Sequence, residues 1–324
     1  MLRPMSQYPA DHVQVDAALP SERRAALELA LSSRGEPPPP AVIDRALEEA
    51  QRDAAEWQGL LVATVAPGNS NVPQRRLVGA VWLRSLPGRV SSVTSPRTAA
   101  LAPSETGSVL LRSAADLARS RQSAFVQALA EANDVRAGAD FAAAGFEHPA
   151  DLLFLVADCD SPGVDDGPAN LEWVPYQPEH HCRLANLVER TYVESRDCPG
   201  LDGVRAIDDV LAGYRATGQF DPDRWLIAVE DGQDVGCLLL ADHPDDDQWE
   251  LVYLGVAPEF RGLGLGRALT QRALSMARGA GRARVVLAVD AANAPAIEIY
   301  RQAGFEAWDR RAIFLRRFDN PREM

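Results

Sequence analysis

Three apolar runs stand close together in the second half of the chain, at 225–229, 235–240 and 249–256. The first two flank Asp231-Gly232, a dipeptide suited to a two-residue hairpin turn, so they are predicted to pair as antiparallel strands. Downstream, apolar periodicity predicts a helix from about 264 to 278, a strand over 284–289, a helix over 294–302 and a last strand over 313–317. Upstream lie a short strand at 172–176, a helix at 179–192 and a second helix at 205–216. In the first of these helices Leu184, Leu187 and Val188 share one side. Strands on either side of a helix, following a hairpin, imply an α/β (α+β) fold with a mixed, mostly antiparallel sheet flanked by helices.

The first half repeats this order of elements. Ala144-Gly145-Phe146-Glu147 recurs as Ala303-Gly304-Phe305-Glu306, an offset of 159. Phe141 falls opposite Tyr300 at the same offset, and Asn133 is set opposite Asn293 at 160. A four-residue match inside a repeated order of elements points to duplication. The turn-rich stretch Ser161-Pro162-Gly163 to Gly167-Pro168 punctuates the midpoint. The expected organisation is a domain at 1–160, a linker at 161–170 and a domain at 171–324.

A length of 324 residues has room for two domains. An apolar content of 46% with 24% charged residues excludes wholesale disorder. No apolar run approaches the roughly 20 residues that cross a bilayer, and 1–15 has no signal-peptide core. A cytoplasmic protein without a membrane partner is expected. The four cysteines form no CxxC pair, and a net charge of −13 argues against a nucleic-acid partner. Every basic residue is arginine; without lysine there is no Schiff base and no P-loop.

The candidate chemistry lies between a predicted strand and a predicted helix, in Val256-Ala257-Pro258-Glu259-Phe260-Arg261-Gly262-Leu263-Gly264-Leu265-Gly266-Arg267. Glycines at the start of a helix let several backbone N–H groups converge on one anion, and Arg261 and Arg267 add positive charge. Position 267 is arginine where the dinucleotide fingerprint needs its third glycine, so a Rossmann site does not fit. Arg261-x-x-Gly264-x-Gly266 after Val256-x-Pro258 resembles the acetyl-CoA signature of the GNAT superfamily of N-acetyltransferases. Asn293, Ala296, Tyr300 and Gly304-Phe305 resemble that family's second block. In layout the tandem pair resembles the mycothiol synthases of the superfamily, with 1–160 as a degenerate copy.

The resemblance implies acetyl-CoA as co-substrate. Backbone groups of Leu254, Gly255 and Val256 would pair with the pantetheine arm, and N–H groups of Arg261, Gly262, Leu263, Gly264, Leu265, Gly266 and Arg267 would hold the pyrophosphate. Asn293 would bind the cofactor arm, and Tyr300 would act as general acid. Strand alternation points Glu250 to the face opposite Trp249, Leu251 and Tyr253. Glu250 lies six residues before Val256, where members of the family carry a substrate-contacting glutamate, and is the candidate base.

Charge supplies a separate argument. Residues 171–250 hold 6 Arg against 18 Asp and Glu, whereas 251–324 hold 12 against 7. A basic cofactor segment beside an acidic one favours a cationic amine acceptor. Acidic residues gather at Glu194, Asp197, Asp202, Asp208 and Asp209 and again at 245–247. His180-His181-Cys182 lacks a third ligand at suitable spacing, so no metal is expected. In the first half the glycine pair is missing, Pro103 removes an N–H, Glu105 is negative and Phe141 replaces the tyrosine. That half is expected to be structural or an acceptor-side lid. The expected activity is acetyl transfer from acetyl-CoA to a primary amine of a small molecule. The alternatives are an acyl-CoA-binding sensor without turnover and an enzyme acting on a protein N-terminus or an antibiotic. A monomer and a homodimer both remain open.

Overall fold

Asp231 and Gly232 both have positive φ, 49° and 74°, the geometry whose twist suits a tight hairpin. The computed structural model describes residues 13–33, 36–65, 76–159, 171–198, 200 and 203–318. In chain order these form β1 (Gln14–Ala17), α1 (Arg23–Ala30), α2 (Pro40–Arg52), α3 (Ala54–Gly59), β2 (Leu60–Val65), β3 (Arg76–Leu86), β4 (Val90–Val93), β5 (Arg97–Thr98), α4 (Thr106–Ser120), β6 (Phe125–Glu131), α5 (Val135–Ala143) and β7 (Glu147–Asp158). The second series is β8 (Glu172–Pro175), α6 (His181–Tyr192), α7 (Ile207–Arg215), β9 (Trp225–Glu230), β10 (Gln233–His243), β11 (Gln248–Val256), α8 (Leu265–Gly279), β12 (Arg284–Asp290), α9 (Ala294–Gln302) and β13 (Glu306–Arg317). No helix of the described residues is long and apolar enough to cross a membrane.

Two compact units emerge. The first takes the chain up to His148 and again from Phe314; the second is Pro149–Ile313. These limits differ from the expected 1–160 and 171–324. The cause is strand pairing: β7 runs antiparallel to β12, from Leu152↔Asp290 to Asp158↔Arg284, and so joins the second unit. Phe314 in turn stacks on Phe141 at 4.3 Å within the first unit. The expected linker, 161–170, lies outside the described residues.

In the second unit β8, β9, β10 and β11 are neighbours in antiparallel register, β12 is parallel to β11, and β7 is antiparallel to β12. One face of this mixed, mostly antiparallel sheet buries Leu238, Leu240, Trp249 and Leu251 against Leu265 and Leu269 of α8 and Tyr300 of α9. The other buries Ile227, Cys237 and Leu239 against Leu184, Leu187 and Val188 of α6 and Leu211 of α7. The alternation of Leu238 and Leu240 with Cys237 and Leu239 is the two-residue period of a strand covered on both sides. β13 begins at Glu306, seven residues before the expected strand. Its charged start is neutralised by pairs such as Arg310–Asp151 and Arg311–Asp309, which hide it from a hydropathy pattern.

The first unit has the strand order β1-β2-β3-β4-β6, with β5 on β3. In chain order α4, β6, α5 and β7 match α8, β12, α9 and β13 in length, each shifted by 159 positions. Phe146 N–H bonds Phe141 O at 3.0 Å and Phe305 N–H bonds Tyr300 O at 3.0 Å, so both copies close this helix identically. The expected partner of Asn293 needs correcting. Asp134, not Asn133, caps α5 by accepting from Ala137 N–H, as Asn293 caps α9 by accepting from Ala296 N–H.

Candidate active site

The central feature is the behaviour of β11. Its pairing with β12 runs from Gln248↔Arg284 to Glu250↔Val286, and no later rung forms among the described residues. On its other side pairing continues to Val256↔Gly236. Ala257 N–H donates to Val235 O at 2.9 Å, which makes that rung hydrogen-bonded. Alternation then makes Gly255↔Cys237 another bonded rung and turns the N–H and C=O of Leu254 and Val256 away from β10, into the gap beside β12. Gly255 has a different task. A Cβ there would lie 2.6 Å from Thr191 Oγ1, so its glycine lets α6 approach the strand.

A register shift between Leu239↔Tyr253 and Leu240↔Leu251 leaves Val252 as an extra residue in β11. The bulge reverses the alternation after it. Tyr253 therefore packs in the α6–α7 core while Trp249 and Leu251 pack toward α8. The expectation that Tyr253 lies opposite Glu250 is overturned: both point to the α6–α7 face. There Tyr253 stacks on Tyr214 at 5.3 Å and meets Tyr192 edge-on at 5.8 Å. Its hydroxyl lies 2.6 Å from that of Thr191.

After Val256 the chain makes a short 3-10 turn, Pro258–Phe260, and enters the glycine segment. Gly262 and Gly264 have φ of 80° and 86°, and a Cβ at either would meet nothing within 4 Å. Space is open there, while the backbone conformation disfavours any side chain. Gly264 precedes α8, whose first residues Leu265, Gly266 and Arg267 carry N–H groups without an acceptor inside the helix. Leu263 is 63% exposed at the turn, and Arg267 is exposed on the first turn of α8. Gly266 serves packing, since a Cβ there would sit 3.0 Å from Ile299 Cδ1. Arg261 is placed differently from the expected phosphate contact. Its guanidinium donates to Val256 O at 3.2 Å, Thr191 O at 2.9 Å and Glu194 O at 3.3 Å, and its N–H to Pro258 O at 3.2 Å. It fastens the loop to the end of α6.

Tyr300 is 7% exposed, edge-on to Phe305 at 5.6 Å. Burial, followed by the charge of Asp197, raises its phenol far above the usual tyrosine range. Asn293 bonds Asp197 with its side chain, so its amide bridges the cap of α9 and an acidic loop. The Asp197-Cys198 loop and Asp290 exchange backbone-to-carboxylate bonds. Asp290 N–H donates to Asp197 Oδ1 at 2.9 Å, and Cys198 N–H donates to Asp290 Oδ2 at 3.1 Å. Burial raises the Asp197 carboxyl, with the nearby Asp290 charge adding to the shift. Asp197 is also felt by the Tyr253 phenol, which burial pushes up. Asp197 thus links Asn293 and Asp290 by hydrogen bonds, and its charge acts on both the Tyr300 and the Tyr253 phenols.

Glu250 stands at the last paired rung, and its Oε2 lies 2.9 Å from His243 Nε2. The sequence reading missed His243, because the partner depends on cross-strand register. It also missed Asp290, whose signal was only a polar residue closing an apolar strand. Part of the acidic surplus is used internally: Asp242 pairs with Arg282 and Arg224, Asp234 with Arg183, and Asp208 with His181. Asp202 lies outside the described residues.

Residues 189–305 match the profile of the Acetyltransferase (GNAT) family. A mycothiol acetyltransferase of Cellulomonas flavigena is 30% identical over 233 residues, 66% of this chain and 65% of that protein. Other matches to proteins of that name span about a third of those relatives' length. A GCN5-related N-acetyltransferase from Sphaerobacter thermophilus shares the fold across 94% of this chain and 95% of its own, with a TM-score of 0.65 at 18% identity. A tandem GNAT protein from the clavulanic acid biosynthesis pathway matches over 94% and 98%, with a TM-score of 0.53 at 19% identity. Residues 189–305 thus match the GNAT acetyltransferase family, and the fold of the chain is shared with solved GNAT proteins, one of them a tandem GNAT protein.

Proposed function

We propose that the unit Pro149–Ile313 transfers an acetyl group from acetyl-CoA to the primary amine of a small molecule. The observation that carries this reading is a strand edge that opens beside a helix N-terminus. Leu254 and Val256 turn backbone groups into the gap left by β12, and the open glycine turn at Gly262 and Gly264 leads into the free N–H groups of α8. An amide-bearing arm can add to the first as a strand would, while a pyrophosphate suits the second. Arg267 adds charge at that end, whereas Arg261 shapes the loop.

Glu250, at the mouth of the gap, accepts the proton that an acceptor ammonium must lose before its nitrogen attacks the thioester carbon. A C–N bond forms and the C–S bond breaks, with no covalent acyl-enzyme. Tyr300 is held protonated by burial, so its O–H donates to sulfur as the thiolate develops. Asp197 and Glu250 favour a cationic acceptor. The relatives named mycothiol acetyltransferase support a small-molecule acceptor over a protein.

Calorimetric titration of the full chain and of Gly264→Glu with acetyl-CoA tests the cofactor site, and thiol release with polyamines, amino sugars, aminoglycosides and peptides tests the transfer. One site per chain, lost in the variant, with amine-dependent thiol release supports the reading. Binding without turnover on any amine favours a sensor. No binding overturns both.

A further inference from the structure

The first unit keeps a cleft but loses the features suited to phosphate. At α4, the counterpart of α8, Gly107 packs against the carboxylate of Asp140. The corresponding pair in the second unit is Gly266 against Ile299. Asp140 is 8% exposed, accepts from Ser108 N–H at the first turn of α4, and has its carboxyl raised by burial. Glu105 adjoins the same turn. The helix N-terminus is thus satisfied by the chain's own carboxylate, with a second close by, and a pyrophosphate would be repelled.

A cleft of about 550 Å³ nevertheless lies in this unit, bounded by Glu28 of α1, Pro96, Arg97 and Thr98 around β5, and Asp134 and Arg136 at the start of α5. Arg97 occupies the position equivalent to Gly255: Gly79 pairs with Thr98 and Ala99 N–H bonds Val78 O, as Gly236 pairs with Val256 and Ala257 N–H bonds Val235 O. Asp134 caps α5 as Asn293 caps α9. A glycine and a neutral amide have therefore become a cation and an anion, 3.3 Å apart between Arg97 Nη1 and Asp134 Oδ2. With Arg136 and Glu28 the lining holds two positive and two negative side chains. A ligand of one sign would meet as much repulsion as attraction there. A ligand carrying both signs would not.

We propose that this cleft binds a small zwitterion of the α-amino acid type. Its carboxylate would engage the guanidinium groups of Arg97 and Arg136, and its ammonium the carboxylates of Asp134 and Glu28. The volume falls in the range of small-molecule sites. The proposal stands apart from acetyl transfer in the second unit.

The test titrates the full-length protein with each common L-amino acid at millimolar concentration, by calorimetry and thermal shift. One site per chain is expected for at least one amino acid. Glu28→Gln and Arg136→Ala, both at exposed side chains, should each weaken that binding at least about tenfold, the loss of one charge-assisted contact, with acetyl-CoA titration unchanged. The proposal is overturned if no amino acid binds, if binding is indifferent to both substitutions, or if acetyl-CoA displaces the amino acid.

Discussion

His243 and Glu250 are diagonal neighbours on β10 and β11, with Nε2 and Oε2 2.9 Å apart, where the β11–β12 pairing ends. The imidazole fixes the carboxylate at the mouth of the gap. Glu250→Gln should lower turnover by roughly 10²–10⁴, while calorimetry finds acetyl-CoA affinity nearly unchanged. His243→Gln keeps an N–H donor and should retain most activity, whereas His243→Ala should lose about tenfold. An unaltered rate in Glu250→Gln would remove that residue from the mechanism.

Tyr300 allows packing and chemistry to be separated. Its ring meets Phe305 at 5.6 Å, a contact that phenylalanine preserves. Tyr300→Phe should unfold close to the wild-type temperature yet turn over about 10²-fold more slowly. Because burial and Asp197 raise the phenol, it stays protonated beyond the ordinary tyrosine range of about 10. The wild-type rate should then show no alkaline loss from this group below that range. Equal turnover in the variant would reduce Tyr300 to a packing residue.

The hairpin at Asp231-Gly232, α8 and α9 were legible because turn chemistry and apolar period coincide there. The glycine segment was legible as a turn leading into a helix, since Gly262 and Gly264 take up positive φ just before α8. The face of Tyr253 was not, since one unpaired residue, Val252, reverses a strand's alternation without changing its composition. The unit limits were hidden for another reason: the partner of Leu152 is Asp290, a pairing that local pattern does not encode. The role of Arg261 was misread because two of its three carbonyl partners, Thr191 and Glu194, lie far upstream at the end of α6.

Gly264 separates backbone strain from charge. At φ 86° any side chain is disfavoured, although space is open. Gly264→Ala should cost about 1–2 kcal/mol for the left-handed conformation, read as a lower urea midpoint, and should keep measurable acetyl-CoA binding. Gly264→Glu carries the same strain and also places a carboxylate where phosphate would lie. It should abolish binding. Equal affinity in the two variants would show that charge at this turn is irrelevant.

Two aspartates give stability opposite dependence on pH. Hydrogen bonds from Arg282, then the charges of Arg282 and Arg224, hold the Asp242 carboxyl below its usual value. Its contribution is present above the unfolded value of about 3.9 and is lost as pH falls through the lower folded value. Asp197 is raised, chiefly by burial. Stability on its account is full below about 3.9 and declines as pH rises toward the raised folded value. Asp242→Asn should therefore destabilise at neutral pH, by an amount that shrinks on acidification. Asp197→Asn retains an oxygen for Asp290 N–H and removes the burial of a charge, so its stability relative to wild type should rise from acid to neutral. Urea midpoints of the two variants across this range decide the matter. If both differences change in the same direction with pH, burial does not outweigh the bonds that Asp197 accepts.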